Sequence, residues 1–503
     1  MKASIQRGVI FVALALLLPV VSTSCGGALV AGGGTGGTGV GPVTGFGSVI
    51  VNGVHYDYSS IDNTNFFDDH GRTKSGLMTG MMVAISGRIN GANGTADNIT
   101  VLRHVDGPMD DNGVELATNR LKVMGQDVVV DASTVFDNGI TSLADLRTLQ
   151  GANVNHPELE VHGSADNTGV IHATFIHKWN DDHVAGDNVQ VRGRVAVLDT
   201  AARTFSIGRK TVDYNALGTI PTGVDNGSFV EAEGTLRASD NALVATQVKL
   251  EDATGGQPSG SRAEVEGYVN RVITQAAGSG SFELIGPNGV QTVTWTSGTT
   301  TPEGGTLSDI LAGVKVEVEG VRKAGGALAA TKIEIRRASN IKFETTVADP
   351  QPSSFRLFGI QVKVNALTQY EDSRDGDKFF TQTGLHGIQV GDTLEVSAYL
   401  DNAASIVATR VERIDAIASD RHILQGPVDS IVAPSLTILG INVNTFPPPQ
   451  TRFLRADESE FATQGDFFVA IAIGDIVKAR GNQGSPLQSV NANEVQIEPT
   501  IDN

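Results

Sequence analysis

Short runs in which apolar and polar residues alternate recur along the chain. One of them, "GVKVEVEG" (313–320), places valines at every second position and charged residues between them. Five further copies follow the same pattern: "GMMVAISG" (80–87), "HPELEVHG" (156–163), "GSFVEAEG" (227–234), "GDTLEVSA" (391–398) and "GDIVKARG" (474–481). A period of two residues predicts a β-strand with one face in a core. We therefore expect the polar residues of this strand, Glu317 and Glu319 among them, to form a solvated face.

Each copy belongs to a longer repeat. A second alternating strand follows it, as in "LAATKIEI" (328–335), after a turn rich in Gly, Asn and Asp such as "RKAGG". These residues accept the positive φ of tight turns, so each repeat is predicted to end in a β-hairpin. Three earlier strands and a short helical link, such as "TSLADLRTLQG" (141–151), precede the hairpin.

This order of elements predicts an all-β fold. Three strands, a link and two strands match a small five-stranded Greek-key barrel of OB type, and ~80 residues suffice for a small core. We expect a tandem array of about six such OB-like barrels, each in contact mainly with its neighbours in the chain. The predicted repeats are 42–104, 105–179, 180–252, 253–338, 339–415 and 416–503.

The N-terminus differs from the repeats. Lys2 and Arg7 precede the apolar run "VIFVALALLLPVV" (9–21), which is typical of a secretory signal and short for a membrane span. We expect residues 1–24 to be a signal peptide, with the single cysteine, Cys25, becoming a lipidated N-terminus. Ordinary signal cleavage after Ser24 is the alternative. The run at 25–41 is predicted to be a Gly-rich leash, and Gly26 favours the outer membrane, on its periplasmic side or at the cell surface.

The net charge, the cysteine count and the missing motifs disfavour several functional classes. The formal net charge is −19, which disfavours nucleic acid, because binding to phosphates depends largely on Lys and Arg. One cysteine gives neither an internal disulfide nor a paired-cysteine zinc site. Phosphate-binding loops, HExxH and nucleophile elbows are missing from the sequence, so we do not expect an enzyme.

The repeats resemble a known bacterial family. The segments that carry the resemblance are "GPVTGFGSVIVNG" (41–53), the V-E-V-x-G strand and the closing A-T-x-V/I strand. They look like domain of unknown function 5666 over about residues 41–497. The resemblance implies tandem small β-barrels in exported, often lipoprotein-type proteins. It implies no activity, because the family has none assigned.

Histidines are concentrated in the second repeat. Strict alternation directs His156, Glu160 and His162 away from the barrel core, with His172 inward and His177 outward on the partner strand. His162 and His177, joined by Glu160 and His156, are therefore candidate ligands of zinc or copper. The alternative is a polar patch without metal.

Other candidate residues carry weaker signals. Trp179 and Trp295 are candidates for stacking on a sugar ring, although a place in the core is preferred for Trp295. The acidic segments 62–71 and 371–378 do not have the spacing of a calcium loop and are predicted to be solvated.

Three functional hypotheses follow. The first is a non-enzymatic binding or scaffold protein of the cell envelope, with a glycan, a peptide or another envelope protein as partner. The second is a metal-binding envelope protein that uses the histidines of the second repeat. The third and least favoured is an envelope hydrolase, for which the sequence offers no nucleophile and base.

Overall fold

A computed structural model describes residues 35–253, 257–374, 380–382, 387–484 and 488–501. The predicted signal peptide and Cys25 lie outside the described residues. Among the helices of the described part, none has the length and apolar character needed to cross a bilayer.

Six β-barrels follow one another in the chain, as the repeats predict. The first half of the chain contains β1 (Thr35–Gly45), β2 (Val49–Val51), β3 (Val54–Asp57), β4 (Phe66–Phe67), β5 (Met82–Asn90) and β6 (Asn93–Val101) in barrel 1, β7 (Val105–Glu115), β8 (Arg120–Val123), β9 (Gln126–Val129), β10 (Val135–Asp137), α1 (Leu143–Gln150), β11 (Glu158–Ala165) and β12 (Ile171–Asn180) in barrel 2, and β13 (Val189–Asp199), β14 (Thr204–Ile207), β15 (Lys210–Asp213), β16 (Phe229–Leu236) and β17 (Leu243–Leu250) in barrel 3.

The second half has the same order of elements. It contains β18 (Arg262–Gln275), β19 (Ser279–Gly286), β20 (Gly289–Thr296), β21 (Thr301–Glu303), β22 (Lys315–Arg322) and β23 (Leu328–Arg336) in barrel 4, β24 (Ile341–Thr346), β25 (Ala348–Gln351), β26 (Ser354–Leu357), β27 (Ile360–Lys363), β28 (Gln369–Asp372), β29 (Thr393–Leu400) and β30 (Ile406–Ile414) in barrel 5, and β31 (His422–Val432), β32 (Ser435–Ile438), β33 (Ile441–Asn444), β34 (Arg452–Leu454), α2 (Gln464–Ala470), β35 (Ile476–Gln483) and β36 (Ser489–Glu498) in barrel 6. The described 3₁₀ turns are Lys74–Gly76, Leu116–Thr118, Asn215–Leu217 and Leu307–Asp309.

Each barrel closes in the strand order of an OB fold. In barrel 4, β18 pairs with β19, β19 with β20, and β20 runs parallel to β23. The hairpin β22–β23 then returns to β18 and closes the ring. The helical link is shorter than expected. In five barrels it includes a short strand, such as β21, that pairs in parallel with the last strand.

The glycine that ends the V-E-V-x-G strand marks a β-bulge in the final hairpin. In barrel 4 the ladder register shifts between Glu319 and Gly320. A Cβ at Gly320 would lie only 2.4 Å from the carbonyl oxygen of Ala329 on the partner strand. A bulge brings the two backbones this close, and glycine fits at this position of barrel 4 without moving the partner strand. Barrel 5 keeps the bulge with Ala398 in the same place.

Residues 35–41, predicted to belong to the leash, are the first part of β1. All of them pair with β5, in a ladder that runs from Thr35 to Pro42. A Cβ at Gly39 would lie 2.5 Å from the Tyr56 hydroxyl oxygen, and one at Gly37 would lie 2.6 Å from Ile89 Cδ1. The glycines therefore allow close packing here, whereas the composition suggested flexibility.

The barrels associate in pairs through their first strands. Antiparallel β7–β13 joins barrels 2 and 3, antiparallel β24–β31 joins barrels 5 and 6, and parallel β1–β18 joins barrels 1 and 4. Three sheets of 12, 11 and 13 strands result. The expectation of barrels in contact mainly with chain neighbours is therefore wrong for barrel 1, because the free edge of β1 pairs with a strand more than 200 residues away.

In three barrels, the segment that follows the third strand contacts a barrel of a different pair. The link of barrel 1 lies on barrel 2, where Arg72 binds Glu160. The segment of barrel 2 that follows β9 lies on barrel 5, where the carbonyl oxygen of Ala132 accepts a hydrogen bond from the Ser397 hydroxyl. Barrel 5 in turn reaches barrel 4, where Asn365 Nδ2 donates to Glu334 Oε1 at 3.1 Å. These contacts decide which outer barrel surfaces are covered.

Candidate functional site

The outward polar residue of the V-E-V-x-G strand lies directly opposite a residue of the barrel's first strand. We call these two residues the facing pair of a barrel. The facing pairs are Asp106 and Glu160 in barrel 2, Arg192 and Glu231 in barrel 3, Glu266 and Glu317 in barrel 4, Glu344 and Glu395 in barrel 5, and Gln425 and Lys478 in barrel 6. Their apolar neighbours point into the barrel, so alternation directs the facing pair outward. The first strands of two barrels pair with each other, so the facing pairs of those two barrels lie on the same surface of the joined sheet.

The facing pair of barrel 2 is buried under the link of barrel 1. His70 Nε2 forms an ion pair with Asp106, and Arg72 donates to both oxygens of Glu160. Glu160 is fully buried. Burial alone would raise its pKa, but His162, Arg72 and Arg103 hold the pKa of Glu160 well below its ordinary value. Glu160 is therefore a carboxylate held by cations supplied from elsewhere in the chain.

The acidic segment 62–71 was predicted to be solvated, and this is wrong for Asp68. Its side chain is fully buried and forms an ion pair with Arg103, whose side chain is also fully buried. Arg103 Nη1 lies 3.2 Å from Asp69 as well, and its Nε lies 3.1 Å from Glu160. The loop thus packs on barrel 2 because its acids meet a buried arginine that alternation does not identify.

The second acidic segment, 371–378, is also not a simple solvated loop. Asp372 is 3% exposed and forms an ion pair with Arg413. Residues 375–378 lie outside the described residues.

The structure brings His162 and Glu160 together but gives His177 and His156 other partners. His162 Nε2 lies 2.6 Å from Glu160, while its Nδ1 accepts from the backbone N–H of Met82 at 3.1 Å. His162 is therefore the neutral tautomer that donates to Glu160, and burial lowers its pKa. His177 Nδ1 instead binds Asp137 at 2.7 Å, and His156 lies beside Asp111 at 3.7 Å.

The described part of the chain contains two other groups of three residues whose possible metal-ligand atoms converge. Within each group these atoms lie within 4.8 Å of one another. They are His70, Asp106 and Glu160, and Asp69, Glu231 and Glu233. Only Glu160 belongs to the predicted set. His70 was missed because it is 90 residues from Glu160 in the sequence and in another barrel.

His172 was predicted to point into barrel 2, and this is wrong. The bulge between His162 and Gly163 shifts the alternation, so Ile171 and Ala173 enter the core. His172 lies outside the barrel and stacks on Tyr268 of barrel 4, with ring centroids 4.4 Å apart.

The two tryptophans have different surroundings. Trp295 is 7% exposed in the core of barrel 4, where a place in the core was preferred. Trp179 is half-buried and stacks on His70 with centroids 4.5 Å apart. The guanidinium of Arg72 also lies over its ring at 4.7 Å. The Trp179 ring is therefore engaged by barrel 1 in this structure.

The facing pair of barrel 4 is also buried. Glu317 is 2% exposed, which contradicts the predicted solvated face, whereas Glu319 stays partly exposed and pairs with Arg262. Burial and Glu264 raise the pKa of Glu317 well above its ordinary value. Burial and the nearby Glu319 raise the pKa of Glu264 to about 8. This side of the sheet is polar but packed against other barrels.

The facing pairs of barrels 5 and 6 lie in an open cleft of ≈ 890 Å³, which we call the barrel 5–6 cleft. Its floor is the outer face of eight adjoining strands, from β28 through β30, β29, β24, β31, β35 and β36 to β34. Residues 130–144 of barrel 2 form one wall. The lining contains five cationic side chains, at 342, 410, 452, 478 and 480, and nine anionic ones, at 131, 137, 344, 371, 395, 412, 458, 494 and 498. The cleft therefore has a formal excess of four negative charges.

Ion pairs cross the floor of this cleft. Arg410 Nη2 lies 2.6 Å from Glu412 and 2.9 Å from Glu371. Lys342 lies 2.9 Å from Glu395, and Lys478 pairs with Glu498. Such pairs hold long side chains in a fixed pattern on the sheet.

Glu344 is the exception on the cleft floor. Within the described residues, its carboxylate makes neither a hydrogen bond nor an ion pair. Burial and the neighbouring Glu395 raise its pKa above the ordinary value. Sequence reasoning missed Glu344 because its strand, "FETTV", differs from the other repeats in lacking their glycine.

Comparison with solved structures gives matches of low similarity. The crystal structure of the p204 HINb domain is 12% identical, with a TM-score of 0.13, and covers 30% of this chain and 98% of that one. A Drosophila Unr structure, CSD456, is 13% identical, with a TM-score of 0.11, and covers 46% of this chain and 100% of that one. A multidomain protein with nucleic acid binding domains from Streptococcus pneumoniae is 10% identical, with a TM-score of 0.11, and covers 47% of this chain and 73% of that one. TM-scores this low give no information about the ligand of this chain.

No match was found among curated proteins. A protein-family model, in contrast, matches five times, at residues 40–100, 107–177, 192–249, 266–334 and 345–412, which correspond to barrels 1 to 5. Barrel 6 has the same strand order beyond these matches. With more than half of its length matched by the model, the chain belongs to the family described as domain of unknown function DUF5666.

Proposed function

We propose that the protein is a non-enzymatic binding protein of the bacterial cell envelope that takes its ligand in the barrel 5–6 cleft. One observation carries this proposal. The facing pairs of barrels 2 and 4 are covered by other parts of the chain, whereas those of barrels 5 and 6 line an open cleft. A concave surface with fixed charged groups is what a binding site requires.

A ligand screen tests the proposal. The mature chain, residues 25–503 with Cys25 replaced by serine, is melted in the presence of divalent metals, neutral glycans, peptidoglycan fragments and short peptides. A ligand of the native state raises the Tm by mass action. We expect one class to raise the Tm, and Gln425→Trp, which places a ring on the cleft floor, to abolish the rise.

The matched control is Asp187→Asn, which changes an exposed carboxylate outside the cleft. It should keep the full rise in Tm. A rise that persists in Gln425→Trp, or a panel without any effect, contradicts a binding role for the cleft.

Export and anchoring are a separate part of the proposal. They rest on the apolar run at 9–21 and on Cys25, both outside the described residues. In cells fed radiolabelled palmitate, the native chain should be labelled and found in the outer-membrane fraction. Cys25→Ser should remove both properties. An unlabelled native chain would instead support ordinary signal cleavage after Ser24.

Metal binding is the second candidate function. The observation that favours it is the convergence of His70, Asp106 and Glu160 within 4.8 Å. Against it, Arg72 and Arg103 already neutralise Glu160. Titration with zinc or copper tests this candidate: about one ion per chain, lost in His70→Ala and kept in His177→Ala, would support it. Stoichiometry far below one would reject it.

A further inference from the structure

Three barrels place two acidic residues directly opposite each other in the facing pair. These are barrels 2, 4 and 5. Like charges that lie directly opposite each other on neighbouring strands destabilise a sheet unless cations compensate them. Where the cations come from therefore distinguishes the three barrels.

In barrel 2 the cations come from a segment that covers the sheet. His70 pairs with Asp106 and Arg72 pairs with Glu160, and both belong to the link of barrel 1. The covering segment thus supplies one positive group to each member of the facing pair.

In barrel 4 the cations come from the barrel itself. Lys315 lies 2.9 Å from Glu266, and Arg336 Nη2 lies 3.8 Å from the same carboxylate. Residues of barrels 2 and 5 lie beside Glu266 in a shared pocket, and the ion pairs of Glu266 in the described part of the chain are with Lys315 and Arg336 of its own barrel.

In barrel 5 the compensation is incomplete. Glu395 lies 2.9 Å from Lys342 and 3.6 Å from Arg410. Glu344, which has the ladder position of Asp106, has no counterpart of His70 among the described residues. Glu344 lines the open cleft, of which residues 130–144 form one wall.

We propose that the barrel 5–6 cleft binds a cationic polypeptide segment, with a Lys or Arg side chain seated on Glu344 as His70 is seated on Asp106. This inference rests on the proposed function and names the partner of that same cleft. Charge complementarity supports it, because the lining has a formal excess of four negative charges. The barrel 1 link on barrel 2 shows that the same surface accepts a polypeptide segment in this fold.

The dimensions fit an extended segment. Eight strands at about 4.8 Å spacing make a floor at most ~34 Å wide along its curve. An extended chain advances about 3.3 Å per residue, so roughly 10 residues cross it. Positive and negative side chains are interspersed on the floor, which favours basic side chains separated by small polar residues.

The test uses a fluorescein-labelled ten-residue peptide that alternates lysine and serine. Its binding to the mature chain is measured by fluorescence anisotropy at physiological salt. We expect Glu344→Gln to weaken binding at least about tenfold, because a charge-assisted hydrogen bond is lost. Asp187→Asn removes the same charge from an exposed site elsewhere and should change the affinity less than twofold.

Two further probes separate the possible outcomes. They are a glutamate–serine peptide of equal length and a neutral oligosaccharide, each tested against the native chain and Gln425→Trp. Equal weakening by Glu344→Gln and Asp187→Asn overturns the inference, because it shows attraction to net charge alone. Binding of only the acidic peptide or the oligosaccharide, lost in Gln425→Trp, overturns the cationic partner and keeps the cleft as a binding site. Failure of all three probes to bind in the cleft overturns the cationic partner, and the wider ligand screen then decides separately whether the cleft is a binding site.

Folding of the variant is checked independently. Because burial and Glu395 raise the pKa of Glu344, and its carboxylate forms no ion pair with any described residue, Glu344→Gln should melt no lower than the native chain at pH 7. If peptide binding is lost while the Tm is unchanged, the loss is caused by the altered cleft and not by unfolding of the variant. A large drop in Tm would show that Glu344 has a structural partner, which overturns the inference.

Discussion

Substitution of the bulge glycine of barrel 4 tests the packing argument most directly. In Gly320→Ala, the new Cβ would lie 2.4 Å from Ala329 O and 3.1 Å from the Cα of Ala330. A comfortable contact is about 3.5 Å, so β22 and β23 would have to separate by roughly 1 Å. Gly320 is not among the residues with positive φ, and the expected penalty is therefore steric.

The magnitude follows from two opposing effects. Overpacking of this kind costs about 1–3 kcal/mol. Alanine also restricts the unfolded chain, which returns about 0.4–1 kcal/mol. We expect Gly320→Ala to lower the free energy of unfolding by roughly 1–2 kcal/mol, since the bulge is held by ladder hydrogen bonds on both sides.

Tryptophan fluorescence gives a local assay. The chain has two tryptophans, and Trp295 is buried in the core of barrel 4. A Trp179→Phe background leaves Trp295 as the sole reporter during urea unfolding. Gly298→Ala is the matched control in the same barrel, because a Cβ there meets no atom within 4 Å.

We expect Gly298→Ala to be neutral or slightly stabilising and Gly320→Ala to shift the transition to lower urea. Equal midpoints for the two variants, within about 0.3 kcal/mol, would refute the close-approach explanation of the glycine in the V-E-V-x-G strand.

Two further predictions concern the buried charges. Arg103→Met should destabilise the chain by about 3–5 kcal/mol, because it removes the buried cation that pairs with Asp68 and with Glu160 and leaves Arg72 as the cation beside both acids. Arg271→Met, at an exposed pair with Glu283, should destabilise the chain far less in the same denaturation experiment, because water screens that pair, and similar losses would contradict the burial argument. Glu264 has a pKa raised to about 8, so its contribution to stability is present below pH ~4.5 and is lost as the pH rises to about 8. The Tm advantage of Glu264→Gln over the native chain should therefore grow between pH 5 and pH 8 and then level off, and a difference that is independent of pH would contradict the assigned shift.

The strand pattern predicts much of the fold because its causes are local. Alternation identifies the inner face of each strand, and Gly, Asn and Asp identify the turns. This is enough to count six barrels and to place their final hairpins. Local pattern fails where one extra residue enters a strand. The bulge after His162 reverses the side on which His172 lies.

The candidate site is less accessible to sequence reasoning. Alternation shows that Glu160 and Glu317 leave the barrel interior, but it does not show what covers them. Glu160 is buried by Arg72, 88 residues earlier, and Glu317 is buried by other barrels. Solvated faces and buried charges therefore have the same sequence pattern.

By itself, the sequence determined the OB-type unit, the number of units and the positions of the final hairpin turns, because these depend on neighbours within one barrel. Only the tertiary structure decided that barrel 1 joins barrel 4, that two acidic facing pairs are buried and that a third lines an open cleft. The physical reason is that first-strand pairing and ion pairs between barrels depend on residues far apart in the chain. Their energies are decided by burial and by the arrival of a partner charge, which no local pattern encodes.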